Sequence, residues 1–125
     1  MTSDFAAIFA VLKPVLGEYE KRLSVKSYSP SEYAVLTKSA SPFPQHKGEP
    51  LYFGGVRLGK AYVSFHLMAL YMCPEMQKRI TPALKKRMQG KTCFNFKTQP
   101  GPELVADLKR LTEEGIKLWG EKKWL

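Results

Sequence analysis

The stretch AYVSFHLMALYMCPEMQKRITPALKKRMQGKTCFNF, Ala61 to Phe96, decides the fold. It opens on alternation. Ala61, Val63, Phe65 and Leu67 fall on one face of an extended segment, and Tyr62, Ser64, His66 and Met68 on the other, because side chains along a strand alternate with period two. Pro74 then starts a short helical piece over about 74–79. Thr81-Pro82 starts a second, with threonine as N-cap and proline at the first helical position. Gly90 reads as its C-terminal stop, and Lys85, Lys86 and Arg87 near that end suit the negative pole of the helix. Thr92, Phe94 and Phe96 alternate with Cys93 and Asn95 as a last strand.

Upstream, residues 51–58 pair with this first strand as a hairpin, turning at Leu58-Gly59-Lys60, where Gly59 is free to take a positive φ. Gly54-Gly55 inside the hairpin marks a bulge or a close backbone approach. Residues 39–50 carry three prolines and a glycine and read as an irregular loop. Residues 23–38 alternate as two short strands around the turn Ser29-Pro30-Ser31.

The chain's two ends read as helices. Phe5, Ile8, Phe9, Leu12, Leu16, Tyr19 and Leu23 form one apolar stripe at helical spacing. Ser3 or Asp4 would cap its start, and Pro14 would kink or break it. After Gly101-Pro102-Glu103, the residues Leu104, Leu108, Leu111, Gly115, Leu118 and Trp119 make a second buried stripe. Gly115 would let that helix approach the sheet closely, and the tail GEKKWL would fray unless Trp124 is pinned. The expected architecture is a single α+β domain over residues 1–125. Its mainly antiparallel sheet has about five strands. Helices stand at both ends of the chain, and short helices separate strands four and five.

The hairpin YFGGVRLGKAYVSFHLMALY, the helical TPALKKRMQGK and the segment CFNFKTQPGPELVADLKRL together resemble the YdhG-like domain family, over roughly residues 51–118. That resemblance implies a curved antiparallel sheet with flanking helices and no established activity. Some members are described as frataxin-like iron chaperones, so it also implies iron handling as an alternative. Iron delivery of that kind draws on clustered carboxylates. The first helix here offers Asp4, Glu18 and Glu20 among Lys13, Lys21 and Arg22.

The 125 residues have 44% hydrophobic content and a net charge of +9, which suits one globular domain. The charge is uneven. Over residues 61–100, Lys78, Arg79, Lys85, Lys86, Arg87, Lys91 and Lys97 stand against Glu75 alone. Such asymmetry favours an anionic partner, although a solvated basic surface has the same composition. Cys73 and Cys93 are too few for a disulfide scaffold and point to a reducing cytoplasmic setting. The uncharged run Ala61–Pro74 is shorter than the ~20 residues of a membrane span.

Three groups of residues could carry function. Tyr52, Tyr62, Ser64 and His66 would share the uncovered sheet face as a ligand site, or simply form a half-buried surface whose hydroxyls reach water. Lys78, Lys85, Lys86, Arg87 and Lys91 would hold an anion, nucleic acid included, with Phe94 or Phe96 stacking on bases unless both are core. His66, Met68, Met72, Cys73 and Met76 hold soft-ligand chemistry, but their spacing crosses a strand end and a turn, so no metal site is assigned. Cys73, just before Pro74, is the better placed thiol for reactivity. The expectation is a ligand-binding or interaction module with no catalytic residue and no cofactor. Its partner would be a small molecule or an acidic macromolecule, and a homodimer is open. An enzyme using Tyr62 and His66 is the remaining alternative.

Overall fold

The computed structural model describes residues 5–41, 43–90 and 92–124. The caps expected from Ser3 or Asp4, and Lys91, lie outside the described residues. The first helix, α1, spans Phe5–Gly17 and buries Ile8, Phe9, Leu12, Val15 and Leu16. It runs through Pro14, which faces solvent, and ends one turn later. Tyr19, Glu20 and Arg22 then bond back to carbonyls three residues earlier, so the chain leaves the helix in tight turns. Leu23 therefore opens a strand, and does not extend the helical stripe.

Among the described residues six strands follow: β1 (Leu23–Tyr28), β2 (Glu32–Ala40), β3 (Pro50–Leu58), β4 (Val63–Leu67), β5 (Met88–Gln89) and β6 (Cys93–Phe96). They form one antiparallel sheet in the order β1-β2-β3-β4-β6-β5. The β1–β2 turn closes as its serines suggest. Ser29 Oγ accepts from the Ser31 and Glu32 amides at 3.3 and 3.1 Å. The β3–β4 turn closes through Gly59 N–H donating to Tyr62 O at 3.0 Å, and Gly59 makes no use of positive φ. Ala61 and Tyr62 consequently belong to the turn, and β4 starts at Val63.

Between β4 and β5 lie α2 (Ala69–Met72), a 3₁₀ segment (Pro74–Arg79) and α3 (Pro82–Lys85). Thr81 caps α3 as its sequence indicates, its Oγ1 accepting from Leu84 N at 3.3 Å. Gly90 is not the helix stop. α3 ends at Lys85, and Gly90, with φ of 77°, turns β5 back onto β6. A left-handed backbone at a hairpin turn is the other position that favours glycine, and a single sequence does not separate the two.

The last helix, α4 (Pro102–Glu121), buries Leu108, Leu111, Thr112, Gly115, Ile116 and Trp119. A β-carbon on Gly115 would stand 3.0 Å from Ala69 Cβ and 3.5 Å from Phe53 Cζ, so its absence lets α4 close on α2 and β3. Trp119 meets Phe53 edge to face at 5.0 Å. Trp124 pins the tail, packing on Trp119 and Phe43 at 5.6 and 5.5 Å, with its N–H donating to Trp119 O. Helices α1 and α4 thus cover one face of the sheet. Phe53, Val56, Val63, Phe65, Leu67, Phe94 and Phe96 fill the layer between, each fully or almost fully buried. Burial of one such side chain stabilises by about 1.5–3 kcal/mol. Cys73 and Met76 sit in this core, and burial pushes the Cys73 thiol pKa up, contrary to a reactive role. Among the described residues no helix is long and apolar enough to cross a membrane.

Candidate functional site

Among the described residues the second face of the sheet carries no helix of its own, and strand register decides what meets on it. One row reads Ala34, Gly55, His66, Cys93 across β2, β3, β4 and β6. The next reads Glu32, Arg57, Ser64, Asn95. A bulge in β3 shapes the first row. Val35 pairs with Gly54 and Leu36 with Tyr52, which leaves Phe53 as an extra residue. Phe53 and Gly54 both look into the core, while Tyr52 and Gly55 both reach the open face. A β-carbon on Gly55 would stand 2.6 Å from the Tyr52 hydroxyl. The phenol therefore lies over the glycine, in the space a side chain would take.

Tyr52 consequently walls two hollows. One is polar and holds Lys26, Glu32, Arg57 and His66 beside Tyr52 and Gly55. The other is mostly apolar, formed by Phe43, Leu51, Met68, Tyr71 and Met72 with Gln45. Tyr71 is 63% exposed, unusual for a large aromatic side chain. The Tyr52 pKa is pushed up to about 12, by burial first and then by the Glu32 carboxylate and Cys93. Burial lowers the His66 pKa, helped by the Arg57 guanidinium. Burial raises the Cys93 thiol, opposed by the neighbouring Ser64 hydroxyl. At neutral pH the face therefore presents a protonated phenol, a protonated thiol and a neutral imidazole.

Tyr62 and Ser64 do not join this pair. Ser64 is 8% exposed and donates to Asn95 Oδ1 at 3.1 Å, an acceptor it shares with Cys93 Sγ at 3.2 Å. Asn95 Nδ2 in turn donates to Gln89 Oε1. Tyr62 lines a separate hollow at the β5–β6 end, with Lys86, Arg87, Gln89, Asn95 and Lys97. The four residues grouped from sequence thus divide into a Tyr52–His66 pair, a structural Ser64 and a distant Tyr62. The basic group divides too. Lys86 and Arg87 converge, Lys78 and Lys85 do not line that hollow, and Arg79 turns away to pair with Glu114 at 3.6 Å. Phe94 and Phe96 are fully buried and offer no stacking surface. His66 belongs to the open face while Cys73 and Met76 are core, so the soft-ligand residues do not converge.

A further hollow of roughly 790 Å³ lies elsewhere, between the α1–β1 connection, the 3₁₀ segment and α4. Its charges are mostly spent on one another. Asp107 takes Arg110 and a 3.0 Å hydrogen bond from Thr81 Oγ1, and Glu114 takes Arg79. Thr81 thereby ties α4 to the start of α3, and Arg79 ties it to the 3₁₀ segment. Residues missed from sequence are Lys26, Glu32, Arg57, Gln89 and Asn95. Each is an ordinary surface polar residue whose neighbours depend on register. No family model matches the chain, and no curated protein or solved structure matches it.

Proposed function

We propose that this chain is a YdhG-like small-ligand binding module that takes an amphipathic acid across Tyr52. One observation carries the reading: a single side chain separates an apolar hollow from a polar one that holds two cations and one acid. The apolar body of the ligand would rest on Phe43, Met68, Met72 and Tyr71. Its acidic head would face Arg57 and Lys26, with the His66 imidazole as hydrogen-bond partner. Binding is favoured over catalysis because the thiol and phenol are held protonated. In addition, no hydrogen bond joins His66 to a carboxylate among the described residues, so the imidazole lacks an orienting partner. A reducing cytoplasmic setting suits the two free thiols.

The hollows are open, so affinity should be modest. Apolar burial yields ~25 cal/mol per Å² before association costs are subtracted, which places binding at about micromolar or weaker. Calorimetric titration with medium-chain and aryl carboxylic acids, each beside its neutral primary amide, tests the reading. The acid should bind at least about five-fold tighter than the amide, a difference of roughly 1 kcal/mol. Arg57→Gln should erase that preference, and Tyr52→Ala should weaken both compounds. Equal affinity of acid and amide, or no heat from any acid up to about 1 mM, would sink the proposal.

A further inference from the structure

We infer that the hollow at the β5–β6 end is a docking surface for single-stranded nucleic acid. It is independent of the small-ligand reading, since none of its residues lines either hollow beside Tyr52. Three cations line it, Lys86, Arg87 and Lys97, and no carboxylate does among the described residues. That sets it apart from the wide α4 cleft, where arginines of the same kind are neutralised by Asp107 and Glu114.

The hollow is a poor site for one small anion. Lys86 and Lys97 are exposed, and an exposed ion pair contributes only about 0–1 kcal/mol. A polyanion is different, because each phosphate neutralised releases condensed counterions and the contacts act together. The remaining lining selects among polyanions. The Tyr62 ring can stack on a base, and the Gln89 amide, whose Oε1 is held by Asn95 Nδ2, can offer its Nε2 to a base edge. Acidic peptides and sulfated sugars offer no aromatic base for that ring. A duplex is disfavoured by the local elements. α3 has four residues and β5 two, too little to enter a major groove about 12 Å wide.

Fluorescence anisotropy with labelled oligo(U), oligo(dT), a matched duplex and heparin tests this. The single strands should bind at low salt. Three neutralised phosphates at a slope of about 0.7 each predict a roughly twenty-fold loss between ~50 and ~200 mM salt. Lys86→Glu with Lys97→Glu, both at exposed positions, should abolish binding while leaving the thermal melt unchanged. Tyr62→Leu should weaken the single strands about ten-fold and leave heparin unaffected; Tyr62→Phe should keep the affinity. Absence of binding at the lowest salt overturns the inference. So does a Tyr62→Leu variant that binds like the parent, or heparin or duplex bound as tightly as the single strands. The last result would mark unselective attraction to polyanions.

Discussion

The two faces of the sheet are built from the same strands and contrast in almost everything else. Along β4, Val63, Phe65 and Leu67 are fully buried beneath α1 and α4, while Ser64 and His66 between them face outward among Arg57, Cys93 and Asn95. The inner face is mostly apolar; its Thr37 hydroxyl donates to Ser39 O and accepts from Leu51 N at 2.9 Å each, and its Tyr33 hydroxyl donates to Glu20 at 2.8 Å. The outer face mixes Ala34, Leu36 and Gly55 with Glu32, Arg57, Ser64, His66 and Asn95, and its Ser64, Cys93, Asn95 and Gln89 side chains bond sideways to one another. Stability and ligand chemistry are therefore carried by alternate residues of one chain segment. A mutation on either face should leave the other's property intact.

The largest test of that separation is Phe65→Ala. Phe65 is fully buried, and removing such a ring leaves a cavity worth about 3–5 kcal/mol. His66→Ala, one residue on, should cost under about 1 kcal/mol. Urea denaturation of the two variants gives both values. Comparable losses would mean that the outer face is part of the core after all.

Gly115→Val comes next. The added β-carbon would stand 3.0 Å from Ala69 Cβ and 3.5 Å from the Phe53 ring, with no flexible tip to move aside. Overpacking of this kind costs about 1–3 kcal/mol. Ala69→Gly opens space against α4, so the double variant should recover part of the loss. A double-mutant cycle that shows strict additivity would break the claim that α4 and α2 meet through Gly115.

Gly55→Ala probes the outer face. Its β-carbon would stand 2.6 Å from the Tyr52 hydroxyl and 2.8 Å from Tyr33 O. The hydroxyl can swing away, but the backbone carbonyl cannot, so some loss of stability, ~1 kcal/mol, should accompany displacement of the phenol. A displaced phenol loses the burial that holds its pKa up at about 12. Spectroscopic titration should then find Tyr52 closer to its ordinary value near 10. An unchanged titration would show that Tyr52 does not rest on Gly55.

These cases also show what was legible in the residues. Alternation in Val63-Ser64-Phe65-His66-Leu67 and in Cys93-Phe94-Asn95-Phe96 assigned the inner and outer sets correctly, because a two-residue period survives any register. The α4 stripe was legible in Leu108, Leu111, Gly115 and Trp119 at helical period, but Leu104 and Leu118 lie only half-buried at its edges, and Thr112 and Ile116 complete the buried face instead. The site was less so. Placing Tyr62 with Tyr52 assumed that the strand begins at Ala61, but the turn takes two residues more. The meeting of Glu32 with Arg57, and of His66 with Cys93, depends on how four strands, β2, β3, β4 and β6, slide past one another. That register passes through the Phe53 bulge, whose only trace in the residues was Gly54-Gly55. Gly90 was misplaced because a hairpin turn and a helix stop favour the same amino acid.

The smallest effect concerns pH and sharpens the contrast most narrowly. His66 is half-buried on the outer face, and its pKa is lowered by burial first and by Arg57 second. In the unfolded chain the imidazole titrates near 6.5. Above about pH 6.5 it is neutral in both states and contributes no pH dependence. As the pH falls below that value, the unfolded chain takes up the proton first. Stability should therefore decline with acidification until the folded pKa is passed, and then level off. The effect should be small, since the ring keeps access to water. Denaturation midpoints of the parent and of His66→Gln, compared between about pH 5 and pH 7, isolate it, because all other titrating groups are common to both chains. Arg57→Gln removes only the second cause, so it should shallow the slope without abolishing it. If Arg57→Gln flattens the profile as completely as His66→Gln does, charge repulsion across the open face governs His66. Burial would then play little part there, and the outer face would be more solvated than its packing over Gly55 implies.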